Sequence, residues 1–198
     1  DYNDSVSWHN AGRTDAYNLS PFEQTLVLDS DYVVASDQLR LILDAPQDCL
    51  AHGTAFNVTS PDEPFLDTFG RNRFPMWWAT VMMFRKSNTA QYIFDCMSMI
   101  CENWRHYKDL YHIAGSLYRN DYALSIALGI VSGHTLKTTD IPFPLATVMP
   151  EHVLTQLDED FFQIEYLDNK RPKKIAWAGT SFHAMGKKHL GDIVANSC

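Results

Sequence analysis

At 198 residues and 22.6 kDa the chain has room for one globular domain and not for two of comfortable size. An apolar fraction of 45% and a charged fraction of 20% are those of a core-forming sequence, which excludes disorder, a collagen-like repeat and a small disulfide scaffold. The formal net charge of −8 argues against a nucleic-acid or anionic-membrane partner, and suits a protein that holds a metal cation. No apolar run reaches the ~18–20 residues that cross a bilayer, so no membrane span is expected.

The first 20 residues are polar and rich in turn formers, and Pro21 ends them. Thr25–Leu28 is short and apolar on both faces, the pattern of a central buried strand. Ser36 is placed to cap a short helix that turns Leu39, Ile42 and Leu43 inward. Thr54–Thr59 reads as a second strand, 60–75 as a long loop punctuated by Pro61, Pro64, Gly70 and Pro75, and Met76–Phe84 as the longest strand. Ile93, Met97, Ile100, Trp104, Tyr107 and Tyr111 recur at helical spacing, with Asn88 and Gln91 as a capping box ahead of them. Asn120 caps a helix that runs through Val131 and stops at Gly133; Pro150-Glu151 opens a shorter one. Phe161–Leu167 and Lys174–Ala178 are the last strands, and the Lys170–Lys174 cluster reads as a solvated loop. Strands and helices interleave, so the class is α/β. Cys49, Cys96, Cys101 and Cys198 lack any zinc spacing; reduced thiols, and with them a cytoplasmic location, are the expectation.

Asp29-Ser30-Asp31 closes the first apolar strand. In extended chain, residues i and i+2 project to one side, so the two carboxylates converge. Such proximity is tolerable with a cation between them, and oxygen ligands select hard ions such as Mg²⁺ or Mn²⁺. The motif alone says little, because with 18 aspartates about 1.6 Asp-x-Asp matches arise by chance and two are present. Context separates them: Asp158 and Asp160 sit in a polar stretch and read as solvated surface, whereas Asp29 and Asp31 end an apolar strand where unpaired acids are costly.

Thr25–Val34 (TLVLDSDYVV) resembles the metal-binding strand of GT-A-fold glycosyltransferases, in particular the retaining, glycogenin-like group. Lys174–Gly179 followed by His183-Ala184-Met185-Gly186-Lys187-Lys188 is similar to that group's closing strand and His-x-x-Gly loop, and Asn120–Leu124 to the start of the helix flanking its sugar site. The resemblance implies a GT-A-like fold, a mixed sheet flanked by helices, in one domain over 1–198, and an enzyme that moves a sugar from a nucleotide diphosphate-sugar, a UDP-sugar above all, to a saccharide or protein acceptor. It implies Asp29, Asp31 and His183 as ligands of Mn²⁺ or Mg²⁺. Ser30, Arg13, Gly186 and Lys188 are implied on the donor side, with Lys188 lying against the diphosphate as a point charge. Trp78, alternating with Trp77 on its strand, is the candidate for stacking on a sugar face. Asp121 is implied to face the transferred sugar. A nucleoside-cradling βαβ unit precedes the metal strand in such enzymes, and 28 residues stand ahead of Asp29 here, so a chain incomplete at its N-terminus, inactive as a fragment, is the expectation.

Two rivals remain at this level. Asp29–Val33 (DSDYV) also fits the first motif of haloacid-dehalogenase-like phosphatases, in which the first Asp is the nucleophile; their later acidic motif is missing, since Gly191-Asp192 is followed by no second acid. A non-catalytic carbohydrate-binding module descended from a transferase is the other.

Overall fold

The computed structural model describes residues 11–64, 67–115, 117–135, 140–186 and 190–191. A 3₁₀ turn, Ala11–Asp15, runs into the single helical turn α1 (Ala16–Leu19). Strands β1 (Gln24–Leu28) and β2 (Tyr32–Val33) follow, then a 3₁₀ turn that continues as α2 (Arg40–Leu43). Next come β3 (Cys49–His52), β4 (Ala55–Asn57), the small hairpin of β5 (Thr68–Phe69) and β6 (Phe74–Pro75), and β7 (Trp78–Arg85). Helices α3 (Asn88–Glu102), α4 (Trp104–Leu110) and α5 (Asn120–Val131) occupy the middle. Strands β8 (Leu145–Val148), β9 (Val153–Leu157), β10 (Phe161–Asp168), β11 (Arg171–Ala178) and β12 (Phe182–Ala184) complete the described chain.

The class is α/β, with the strands divided among several sheets. One is antiparallel in the order β1-β7-β3, another is the antiparallel meander β11-β10-β9, and the third, β2-β12-β8-β4, is mixed. In the mixed sheet β12 and β4 flank β8 in parallel and β2 runs antiparallel to β12. Two apolar clusters match this division. The larger gathers β3, β7, α3 and α5 around Met82, Met83, Phe84, Met97 and Leu124; the smaller joins Phe56, Val58, Phe162, Ile164 and Phe182.

Local chemistry accounts for the elements. Ser87 Oγ accepts from Ala90 N–H (3.1 Å) and caps α3, so the cap is Ser87 and not the expected Asn88. Ala90, Ile93, Phe94, Met97 and Ile100 form its buried stripe, and the aromatic continuation through Trp104 lies on α4, beyond a break at Asn103 (φ −111°, ψ 32°). Helix α5 ends at Val131 as expected, but Asn120 is its first helical residue and Arg119 holds the cap position; Gly133 beyond it takes φ +59°, a left-handed conformation that glycine adopts without strain.

Several expectations are corrected. The central strand is β7, buried from Trp78 to Phe84, while β1 pairs with β7 alone among the described residues and stays half-buried throughout. Leu43 is exposed; Ile42 carries the anchoring of α2. No helix starts at Pro150-Glu151: the pair forms a turn, because Val153–Leu157 that follows is claimed by β10 as a ladder partner. Arg171–Lys174 are exposed, as expected, but belong to β11, not a loop. No helix among the described residues is long and apolar enough to cross a membrane.

Candidate metal centre

Asp29-Ser30-Asp31 links β1 to β2 and so carries the chain from the β1-β7-β3 sheet into the mixed sheet. Asp29 N–H donates to Thr80 O (2.9 Å), closing the end of the β1–β7 ladder, and Tyr32 N–H donates to Asp29 O (3.0 Å). The segment is therefore a turn, and the two carboxylates are brought together by chain reversal, not by strand alternation as the spacing suggested. On the other flank Ala184 N–H donates to Asp31 O (2.9 Å), and His183 stands in register with Tyr32. That pairing sets the His183 imidazole against the Asp31 carboxylate, Nε2 to Oδ1 3.4 Å.

One ligand atom from each of Asp29, Asp31 and His183 falls within 4.8 Å of the others. The side chains are sheltered, with 22% of Asp29, 11% of Asp31 and 12% of His183 exposed. Two carboxylates so close and so poorly hydrated repel unless positive charge stands beside them. Arg13, on the first 3₁₀ turn, supplies some: its guanidinium pairs with Asp29 Oδ1 through Nη2 and donates to Ala79 O through Nη1.

The Ala79 peptide ties the centre to Asp121. Ala79 stands in neither ladder of β7: the β1 register ends at Leu28–Val81, and the β3 register shifts between Ala51 and His52. Its carbonyl serves Arg13, and its N–H donates to Asp121 Oδ1 (2.9 Å). Asp121 Oδ2 accepts from Arg119 Nη2 (2.6 Å), so both carboxylate oxygens are engaged. One turn along α5, the buried Ser125 Oγ accepts from Trp77 N–H (2.7 Å) and donates to Asp121 O (2.6 Å). The start of α5 is thereby bolted to the start of β7 by two side chains on one helix face. Asp67 faces the same group: burial holds its carboxyl above the usual range, the Arg119 charge pulls it down and the Asp121 charge pushes it up.

Of the residues singled out in the sequence, Asp29, Asp31 and His183 converge, Arg13 joins them, and Asp121 is one peptide away. Ser30 is exposed at the tip of the turn. Trp78 is 6% exposed and packs inside the larger apolar cluster, not on an open pocket wall, and Trp77 is buried there too. At Gly186 a Cβ would stand 3.3 Å from Pro150 O, so the glycine serves close approach to that turn. Lys188 lies outside the described residues. Arg119, Ser125 and Asp67 were not anticipated; the i, i+4 spacing of Asp121 and Ser125 was the available signal for the second.

Two carboxylate oxygens and one imidazole nitrogen form a donor set that suits Mn²⁺ well and Mg²⁺ acceptably. The fit is partial in one respect: His183 Nδ1 is buried with no hydrogen-bond partner among the described residues, so no described group orients the ring from that side. No family model matches this chain, and no curated protein or solved structure matches it either.

Proposed function

We propose that this chain acts as a glycosyltransferase that moves a sugar from a nucleoside diphosphate-sugar, a UDP-sugar by resemblance, to a saccharide or protein acceptor, with Mn²⁺ or Mg²⁺ held by Asp29, Asp31 and His183. The observation that carries the reading is the convergence of these three side chains from opposite ends of the chain into one sheltered spot. A divalent ion bound there supplies Lewis-acid charge neutralisation for a diphosphate leaving group. Asp29 and Asp31 bring the negative charge that retains the ion, and His183 a nitrogen donor that, when neutral, adds no charge. Arg13 adds a fixed positive charge at Asp29, suited to phosphate oxygens as well as to the carboxylate. Asp121 holds Arg119 and the Ala79 peptide beside the centre, and contact with sugar hydroxyls is the role the resemblance adds.

Titration calorimetry tests this. Mn²⁺ is expected to bind the wild-type chain and not Asp31→Ala or His183→Ala, with thermal melts showing that both variants fold, and UDP is expected to bind in the presence of Mn²⁺ only. Absence of Mn²⁺ binding at millimolar concentration, or unchanged binding in Asp31→Ala, refutes the assignment.

A further inference from the structure

The Arg13 side chain is only 9% exposed, and among the described residues its guanidinium bonds one carboxylate, that of Asp29, and one neutral carbonyl, that of Ala79. Tyr118 also feels its charge. A cation this poorly hydrated requires its carboxylate partner, and that partner, Asp29, is one of the three residues that converge as metal ligands. A divalent ion touching Asp29 would meet the guanidinium across a single carboxylate, at a range where like charges repel strongly. We propose that Arg13 is the resident counter-cation of the acidic pair, competing with the divalent ion for Asp29. This inference rests on the reading of Asp29, Asp31 and His183 as metal ligands.

A consequence follows for ligand binding. A diphosphate presents oxygens that match a guanidinium fork, so an anionic ligand draws Arg13 away from Asp29 and frees that carboxylate for the ion. Ion and diphosphate then favour one another's binding through Arg13, and the coupling is reciprocal.

The experiment is a Mn²⁺ titration by calorimetry, without phosphate, of wild type, Arg13→Gln and Arg13→Lys. Arg13→Gln is expected to bind Mn²⁺ about tenfold more tightly than wild type, the scale of removing one unit charge beside a carboxylate near the surface. Arg13→Lys, which keeps the charge, is expected to stay within about threefold of wild type. Equal or weaker binding by Arg13→Gln, with wild type still binding, overturns the competition alone; no binding by either removes the ligand assignment and the competition with it. On the unaltered protein, Mg²⁺ should shift the Arg13 Nε–H resonance, assigned by its absence from the Arg13→Lys spectrum. A resonance that stays in place while Mg²⁺ binds overturns the proposal even if Arg13→Gln fails to fold.

Discussion

His52 makes stability depend on pH in a way that can be worked from its surroundings. It closes β3 opposite Trp78, is fully buried, and sets its ring edge-on to Phe143 at 5.4 Å between centroids. Nδ1 lies 3.0 Å from Phe143 O, and Nε2 is buried without a partner among the described residues. Burial pushes its pKa from the ordinary 6.5 down to about 4, an effect the Phe143 carbonyl partly offsets. The folded protein therefore keeps His52 neutral while the unfolded chain takes up a proton below about pH 6.5. Stability is insensitive to this group above that pH, falls between pH 6.5 and about 4, and levels off below. At about 1.4 kcal/mol per pH unit the full loss is roughly 3 kcal/mol, of which about 2 kcal/mol is gone by pH 5. Urea unfolding of wild type and His52→Leu at pH 7.5, 6 and 5 checks this. Carboxylates titrate in both proteins, so the difference between them isolates the histidine, and it should move by about 2 kcal/mol in favour of the variant between pH 7.5 and 5. Parallel stability curves across that range would refute the reasoning.

Two further outcomes concern the join between α5 and β7. Ser125→Ala strips the Trp77 N–H of its acceptor inside the core and should cost about 1–3 kcal/mol, which is a fall of roughly 2–4 °C in Tm per kcal/mol for a chain of this size; an unchanged melting temperature in differential scanning calorimetry would contradict it. Asp121→Asn keeps an oxygen for Ala79 N–H and gives up mainly the half-exposed Arg119 pair, so it should lose less than about 1 kcal/mol, whereas Asp121→Ala should lose about 2–3 kcal/mol by leaving that N–H unpaired. Equal losses in urea unfolding would show that the Ala79 bond does not matter.

Long, strongly patterned segments were legible without coordinates. Helix α5 carries its own start and stop, and β7 and β10 are apolar or alternating over eight residues each, enough for periodicity to speak. The two- to four-residue strands β2, β3, β8 and β12 were not, because so short a run carries no period and exists only through its neighbours' hydrogen bonds. The misread start at Pro150 has the same origin: a local helix signal yielded to the ladder that β10 offers β9.

Asp29 and Asp31 stood out as a pair because an acidic doublet after an apolar strand is a local feature of the chain. So did the class of the fold and the candidacy of His183 by resemblance. That the imidazole meets the carboxylates, that Arg13 rather than solvent neutralises Asp29, and that Asp121 spends both oxygens on Ala79 and Arg119 depended on the pairing of β12 with β2 and on a peptide left outside both ladders of β7. Hydrogen bonds between segments distant along the chain set these distances, and no spacing within one segment encodes them.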